Sequence, residues 1–147
     1  MKSVFFVLDY YIPHRWWVEN VFENIIKKLE KKWYKIFVLT SQFDKSLPTY
    51  EQIWNVQIFR IWKNRKSFIL RSVKIGKKIL KKNEIDIIHA STYWWAIPAA
   101  ILWKKFNKKI ILTVHEILLR VRKDMKTPKL LIIDERLNRR LQRIKRM

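Results

Sequence analysis

The chain contains no cysteine and only one glycine, Gly76, among 147 residues. The first absence removes any disulfide framework and any thiolate metal site, a composition that suits a cytosolic protein. The second is stranger, because a domain of this length ordinarily carries roughly ten glycines. Acidic residues are scarce too: 12 Asp and Glu face 33 Lys and Arg, for a net charge of +21. Such an excess suits nucleic acid, an anionic membrane surface or a phosphate-bearing substrate. Lysines spread over solvated helix faces would also account for it with no partner at all. No apolar run approaches the ~18 residues of a membrane span. The opening MKSVFFVLDYY has a lysine and an apolar run, but the run is short, ends at Asp9 and lacks a small-residue cleavage site. It reads as a buried strand rather than a signal peptide. Three dispersed histidines without spaced carboxylates make no metal site.

What is present is an alternation of periods. Residues 3–8 (SVFFVL) are a continuous apolar run, as in a parallel strand buried on both faces. After the loop DYYIPHRWW, Val18, Val21, Phe22, Ile25, Ile26 and Leu29 recur at helical spacing, predicting a helix over 18–32. Strands are predicted at 34–40 and 56–61, with SQFDKSLPTYEQ between them as polar loop. A lysine-rich helix over 66–82 places Ile69, Val73, Gly76 and Leu80 on one face. A strand at 85–89, a helix at 96–106 that tolerates Pro98 in its first turn, and a strand at 108–114 complete the pattern. Strands alternating with helices imply right-handed crossovers and an α/β fold with a doubly wound, mostly parallel, Rossmann-like sheet. We expect five parallel strands in the order 3-2-1-4-5, with the ligand crevice beyond the carboxyl ends of strands one and four. The loops 9–18 and 89–96 would meet there. The pattern weakens past Glu116, giving a domain over 1–116 and a basic, helical segment over 117–147. That segment holds seven arginines against four in the 116 residues before it, and reads as the start of a truncated remainder.

Eight tryptophans stand where glycine would be expected. Trp33 follows a helix ending LEKK, at the position where a left-handed residue is common and glycine preferred. Trp54 and Trp62 flank the third strand, and Trp103 is placed at the end of a helix. Trp16-Trp17 and Trp94-Trp95 fall in the two crevice loops, where small residues let backbone N–H groups approach a phosphate. One glycine and eight tryptophans together match an ordinary glycine complement. The reading we adopt is that the natural protein carries glycine at all eight positions, through UGA codons that some bacterial lineages read as glycine. The competing reading is a surface of exposed aromatics that stacks on sugars or bases.

With glycine at those positions, the first loop and helix resemble the opening of glycosyltransferase family 4 and its GT-B relatives. Pro13, Trp16, Trp17 and Glu19 match a Pro-x-x-Gly-Gly-x-Glu loop, and Lys32, Trp33 and Tyr34 match a Lys-Gly-Tyr helix end. DIIHAST at 86–92 is similar to the family's Asp-Ile-Ile-His-Ala-His, and ILTVHE at 111–116 to its Thr-Val-His motif. The resemblance covers residues 1–116. It departs at Ser91, where the family has a second histidine.

The resemblance implies the N-terminal, acceptor-side half of a sugar-nucleotide-dependent glycosyltransferase, retaining in stereochemistry, with a lipid-linked or polysaccharide acceptor. It implies a nucleotide-sugar donor as substrate, with no metal and no other cofactor. The cysteine-free composition points to the cytoplasm, and the basic helices over 66–82 and 136–146 to peripheral binding at the anionic inner face of the membrane. Glycosyl transfer requires a stabilised leaving diphosphate and an oriented acceptor hydroxyl. Trp16, Trp17 and Glu19 in the first loop, with Ser91 and Thr92 after strand four, are the candidate substrate-binding residues. His115 is the candidate catalytic residue, near the acceptor and the transferring sugar. Glu19 also suits a capping role, His89 a structural one, and His14 a solvated loop. The family's C-terminal domain supplies most nucleotide-sugar contacts and has no counterpart here, so this chain alone is expected to be inactive. No Gly-x-x-x-x-Gly-Lys-Ser/Thr or Gly-x-Gly-x-x-Gly motif is present even with tryptophan read as glycine, which argues against nucleotide hydrolases and dinucleotide dehydrogenases. A second reading stays open: a non-catalytic basic α/β module that binds anionic membrane or, less expected, nucleic acid.

Overall fold

The computed structural model describes residues 1–62, 64, 67–91 and 95–114. Its first strand, β1 (Ser3–Val7), is buried along its whole length. There follow α1 (Trp17–Lys31), β2 (Lys35–Gln42), β3 (Tyr50–Ile53), β4 (Val56–Trp62), α2 (Phe68–Lys82), β5 (Ile87–Ser91), α3 (Ala96–Phe106) and β6 (Lys109–Thr113). One sheet takes the order β3-β4-β2-β1-β5-β6. Every neighbouring pair is parallel except β3 and β4, which are antiparallel. Without β3, this is the expected 3-2-1-4-5 arrangement.

The expectation of five strands, all parallel, is corrected by β3, which lies in the stretch read as polar loop. Tyr50-Glu51-Gln52-Ile53 has no apolar run, and its residues alternate between exposed and half-buried. It pairs through its backbone from Tyr50↔Phe59 to Ile53↔Val56, with β4 alone as neighbour. A sheet edge accepts a short polar strand that a buried central position would reject.

The sheet separates two cores. On one face α1 brings Phe22 and Ile26 against Val4, Phe6, Ile36, Val38 and Ile58. On the other, α2 and α3 bring Phe68, Ile79, Leu80, Trp95, Ala99 and Leu102 against Phe5, Phe37, Leu39, Ile61 and Ile88. The assignment follows from strand alternation, since successive side chains point to opposite faces. Gly76 sits where these two helices meet: a Cβ built there would overlap the Leu102 side chain. The chain's single glycine therefore permits the α2–α3 contact.

The tryptophans divide by backbone. Trp33 has φ 62° and Trp54 has φ 52°, both left-handed. At the end of α1, Trp33 N–H donates to Glu30 O (2.9 Å) and Tyr34 N–H to Leu29 O (3.1 Å). Those two bonds form a Schellman motif with Trp33 at its left-handed position, where glycine is usual. Trp54 opens the two-residue turn between Ile53 and Val56, which also favours a left-handed glycine. Trp62 and Trp103 are corrections. Trp62 is the last residue of β4, and Trp103 lies inside α3. The left-handed residue that closes α3 is Asn107, at φ 50°. Neither position 62 nor position 103 imposes a glycine backbone.

Candidate functional site

The strand order reverses between β1 and β5, so the loops leaving their carboxyl ends lie side by side. The contact is direct: the indole N–H of Trp95 donates to Asp9 Oδ1 at 3.0 Å. The Asp9 carbonyl accepts bonds from Ser41 N–H (3.1 Å), Thr40 Oγ1 (3.2 Å) and Ser41 Oγ. One residue thus ties the first loop to β2 and to the start of α3. Trp95 itself is fully buried and meets Phe68 edge-on with centroids 4.5 Å apart. Although its position falls in a crevice loop, the indole therefore packs in the core beneath the crevice.

Beyond Asp9, the loop 10–16 carries an aromatic group. Tyr10 stacks on His14 at 4.4 Å, and Phe43 from beyond β2 packs edge-on against both. His14 is half-buried and its Nδ1 lies 3.7 Å from Glu19 Oε2. That differs from the solvated residue expected, because the flanking aromatics screen it. The Ile12–Pro13 peptide bond is cis. The loop ends at Trp16, the N-cap of α1, whose N–H donates to Glu19 Oε2 at 2.9 Å. Glu19 is 6% exposed and caps the helix as expected. Only this half of a capping box can form, since an indole side chain has no acceptor to return. Trp16 and Trp17 are 70% and 54% exposed. The amide dipoles of α1 place partial positive charge at this end of the helix.

Ser91 is the last residue of β5 and is 4% exposed, and its Oγ has no hydrogen-bond partner among the described residues. Ile88 and Ala90 belong to the core beneath α2 and α3, so His89 and Ser91 face the α1 side. His89 confirms that placement, with its ring 5.3 Å from Phe22 of α1 and 5.2 Å from Phe6. Its Nε2 lies 2.6 Å from Thr113 Oγ1 of β6, a structural bond that joins two strands. Ser91, two residues on, carries an unsatisfied hydroxyl on the face that holds α1. Thr92, Trp94 and His115 lie outside the described residues, as does the basic segment 117–147.

Sequence reasoning missed Arg60. It is 3% exposed within β4, and its Nη2 donates to Glu51 Oε2 (2.7 Å) and to Ile12 O (3.1 Å). Its Nη1 reaches Pro48 O at 3.2 Å. The guanidinium clamps the first loop to the β3–β4 hairpin. The signal was available, because an arginine inside the apolar run VQIFRI must be paired if it is buried. A separate cleft of about 80 Å³ is lined by Tyr11, Glu23, Ile26, Glu30 and Ile53. Burial, reinforced by the Glu23 and Glu30 carboxylates, holds the Tyr11 hydroxyl far above the usual tyrosine range. The cleft has room for about two or three waters, not for a sugar. Among the described residues no group of His, Asp or Glu is placed to hold a metal ion, and no helix is long and apolar enough to cross a membrane.

A Rossmann-like sheet with its loops converging at the reversal point and a helix N-terminus beside them is shared with GT-B glycosyltransferases. Two structures of sucrose-phosphate synthase from Thermosynechococcus elongatus superpose with TM-scores of 0.58 and 0.59, at 13% and 16% sequence identity. They align with 80% and 78% of this chain and with 34% and 64% of theirs, so the chain spans less than two thirds of either. No curated protein matches the chain. The likeness defines the fold class: a Rossmann-like α/β domain of the kind found in these GT-B structures. The chain belongs to glycosyltransferase family 4, whose sequence model matches residues 18–146.

Proposed function

We propose that this domain holds the acceptor and contacts the donor diphosphate in a sugar-nucleotide-dependent glycosyltransferase that acts on a lipid-linked or polysaccharide acceptor. The buried, unpartnered hydroxyl of Ser91 on the α1 side of the reversal point carries the reading. A buried hydroxyl without a partner is costly, and a ligand oxygen arriving between the two loops would satisfy it. The N-terminus of α1 supports it further, since amide N–H groups and the helix dipole there favour an anion. In this proposal Trp16, Trp17 and Glu19 define the diphosphate side, and Ser91 and Thr92 the opposite wall. By the family resemblance His115 takes the catalytic role, no metal or other cofactor takes part, and the protein works in the cytoplasm. In this proposal a second domain supplies the remaining donor contacts.

Titration of the isotope-labelled chain with inorganic pyrophosphate, followed through backbone amide shifts, tests the site. The largest shifts are expected at residues 14–19, with a second group at 91–95. Shifts confined to the lysine-rich helices, with both loops unmoved, would overturn the assignment.

A further inference from the structure

The small cleft beside Tyr11 takes no part in the site at the reversal point, since none of Trp16, Trp17, Glu19 and Ser91 lines it. It lies between α1 and the β3–β4 hairpin. Ile26, Ile53 and Ile58 give it apolar walls, while Tyr11, Glu23 and Glu30 bring oxygen. Two of those oxygen groups lack a partner. Tyr11 is 3% exposed, and its hydroxyl makes no hydrogen bond among the described residues. Glu30 Oε1 is shut off from solvent and accepts none either. Glu23 is paired with Lys27 at 2.7 Å and with Arg15 at 3.9 Å. Glu30 forms no ion pair among the described residues, in a chain with 33 Lys and Arg. It also lies in the last turn of α1, where the helix dipole disfavours negative charge.

A buried hydroxyl and a buried carboxylate oxygen without partners each cost free energy. One cationic donor in the cleft they share would satisfy both. The terminal torsion of a glutamate is soft, so Oε1 turns toward such a guest at little cost. Burial first, and the Glu23 and Glu30 carboxylates after it, hold the Tyr11 hydroxyl protonated. The same carboxylates put negative potential in the cleft, which favours a cation over a neutral guest. Shape narrows the choice further. A volume of about 80 Å³ admits about three heavy atoms, at ~30 Å³ for each water they replace. A hard metal ion needs oxygen on most sides, and the isoleucine walls supply none. An ammonium at the end of a methylene chain meets each demand: charge for Glu30, N–H donors for both oxygens, and CH₂ against the isoleucines.

We propose that this cleft binds a primary alkylammonium group, its nitrogen between the Glu30 carboxylate and the Tyr11 hydroxyl and its methylenes on Ile26, Ile53 and Ile58. Lys27 is committed to Glu23, so Glu30 is the carboxylate left for the guest. The group arrives either as a free amine or as the lysine side chain of a protein partner, and the chemistry of capture is the same for both.

The test titrates the isotope-labelled whole chain with n-butylammonium chloride, at an ionic strength held constant with sodium chloride. The amide signals of Tyr11, Glu30 and Ile53 should move and saturate. n-Butanol supplies the chain without the charge, and tetramethylammonium the charge without an N–H. Both should bind at least about tenfold more weakly, the scale of one charge-assisted hydrogen bond. Glu30→Gln should weaken butylammonium by at least about the same factor, and Tyr11→Phe should weaken it too, each with the remaining amide spectrum unchanged. Lys27→Gln frees Glu23 and removes a like charge, so it should strengthen binding. Butanol binding as well as butylammonium would overturn the proposal, and so would unchanged binding in Glu30→Gln. Shifts that sodium chloride alone reproduces would leave the cleft to water and overturn it as well. With butylammonium bound as expected, the source follows from two further guests. Tighter binding of putrescine than of Nα-acetyl-lysine amide supports a free amine, and the reverse order supports a partner's side chain. The signals read here are distinct from those at 14–19 and 91–95, so this result and the pyrophosphate result stand or fall separately.

Discussion

The two ends of the sheet put the same residue type to different physical tests. At the amino end, Trp33 and Trp54 sit in turns leading into β2 and β4, both solvent-exposed and both left-handed. At the carboxyl end, Trp16 is an extended N-cap and Trp95 has ordinary helical angles. Trp95 is buried with its N–H bonded to Asp9. Backbone geometry at the amino end asks for glycine whatever the protein does. At the carboxyl end the backbone asks for nothing special, and packing and the ligand decide which side chain belongs. The glycine reading of the tryptophans is therefore a set of separate propositions, strongest at 33 and 54, where strain can be measured without knowing the substrate.

The sharpest way to separate the two ends is to remove the indole that is packed. Trp95→Ala should destabilise the domain by about 3–5 kcal/mol, the range for large-to-small substitutions in cores. It also strips Asp9 Oδ1 of its donor from α3. Chemical denaturation should show the loss as a lower midpoint. A loss well under about 1 kcal/mol, the scale of an exposed site, would mean that position 95 accepts a small residue and that the carboxyl end resembles the amino end after all.

The middle effect has the opposite sign. A non-glycine residue in the left-handed region costs roughly 1–2 kcal/mol, and neither exposed indole makes a polar contact that offsets it. Trp33→Gly and Trp54→Gly should each stabilise the fold by about 1 kcal/mol, less the extra backbone entropy glycine loses on folding. The two turns lead into adjacent strands, with Ile36 N–H donating to Asn55 O at 3.0 Å, so the double variant reads how far the gains add. Peptide mass spectrometry of the natural protein reads the same positions directly, and glycine is the expected residue at both. Tryptophan at 33 and 54, or no gain from either substitution, would remove the amino end from the glycine reading.

How much of this was legible in the sequence follows from the same contrast. The apolar runs of β1, β2, β4 and β5 and the 3.6-residue spacing in α1 fix buried elements, because burial constrains every residue of the run. The left-handed turn at 33 was legible for a related reason: a helix ending in LEKK ahead of a strand leaves few conformations for its connector. β3 was not legible, since an edge strand held by its backbone leaves no hydrophobic record. The span of α3 was legible as 96–106, but reading Trp103 as a helix-end position was not right, since it lies inside the helix and the left-handed close falls at Asn107. In the site, the meeting of the two loops followed from strand order alone, whereas the Arg60 clamp and the stack of Tyr10 on His14 depend on the conformation of the first loop. Periodicity says nothing about such a loop.

The smallest expected effect on stability is paired with the largest on binding, at the mouth of the crevice. Trp16 is an N-cap with φ −115° and ψ −176°, an extended conformation open to any residue. Its only cap bond uses its backbone N–H, which glycine keeps. Glycine is the better N-cap of the two, whereas at the first helical position it is the poorer helix former. W16G/W17G should therefore leave stability within about 0.5 kcal/mol of the parent as the two terms offset. Binding should respond differently. The indoles at 16 and 17, both largely exposed, belong to the N-cap and first residue of α1, the end where an anion would need close approach to backbone amides. Clearing them opens room for one charge-assisted hydrogen bond, worth about 1.5–3 kcal/mol. Pyrophosphate affinity should accordingly rise at least about tenfold, which is 1.4 kcal/mol, and the amide shifts should remain centred on residues 14–19. Weaker binding in the double variant would mean that the indoles take part in recognition. The carboxyl end would then be an aromatic platform for a sugar or base rather than a glycine-lined seat for a diphosphate.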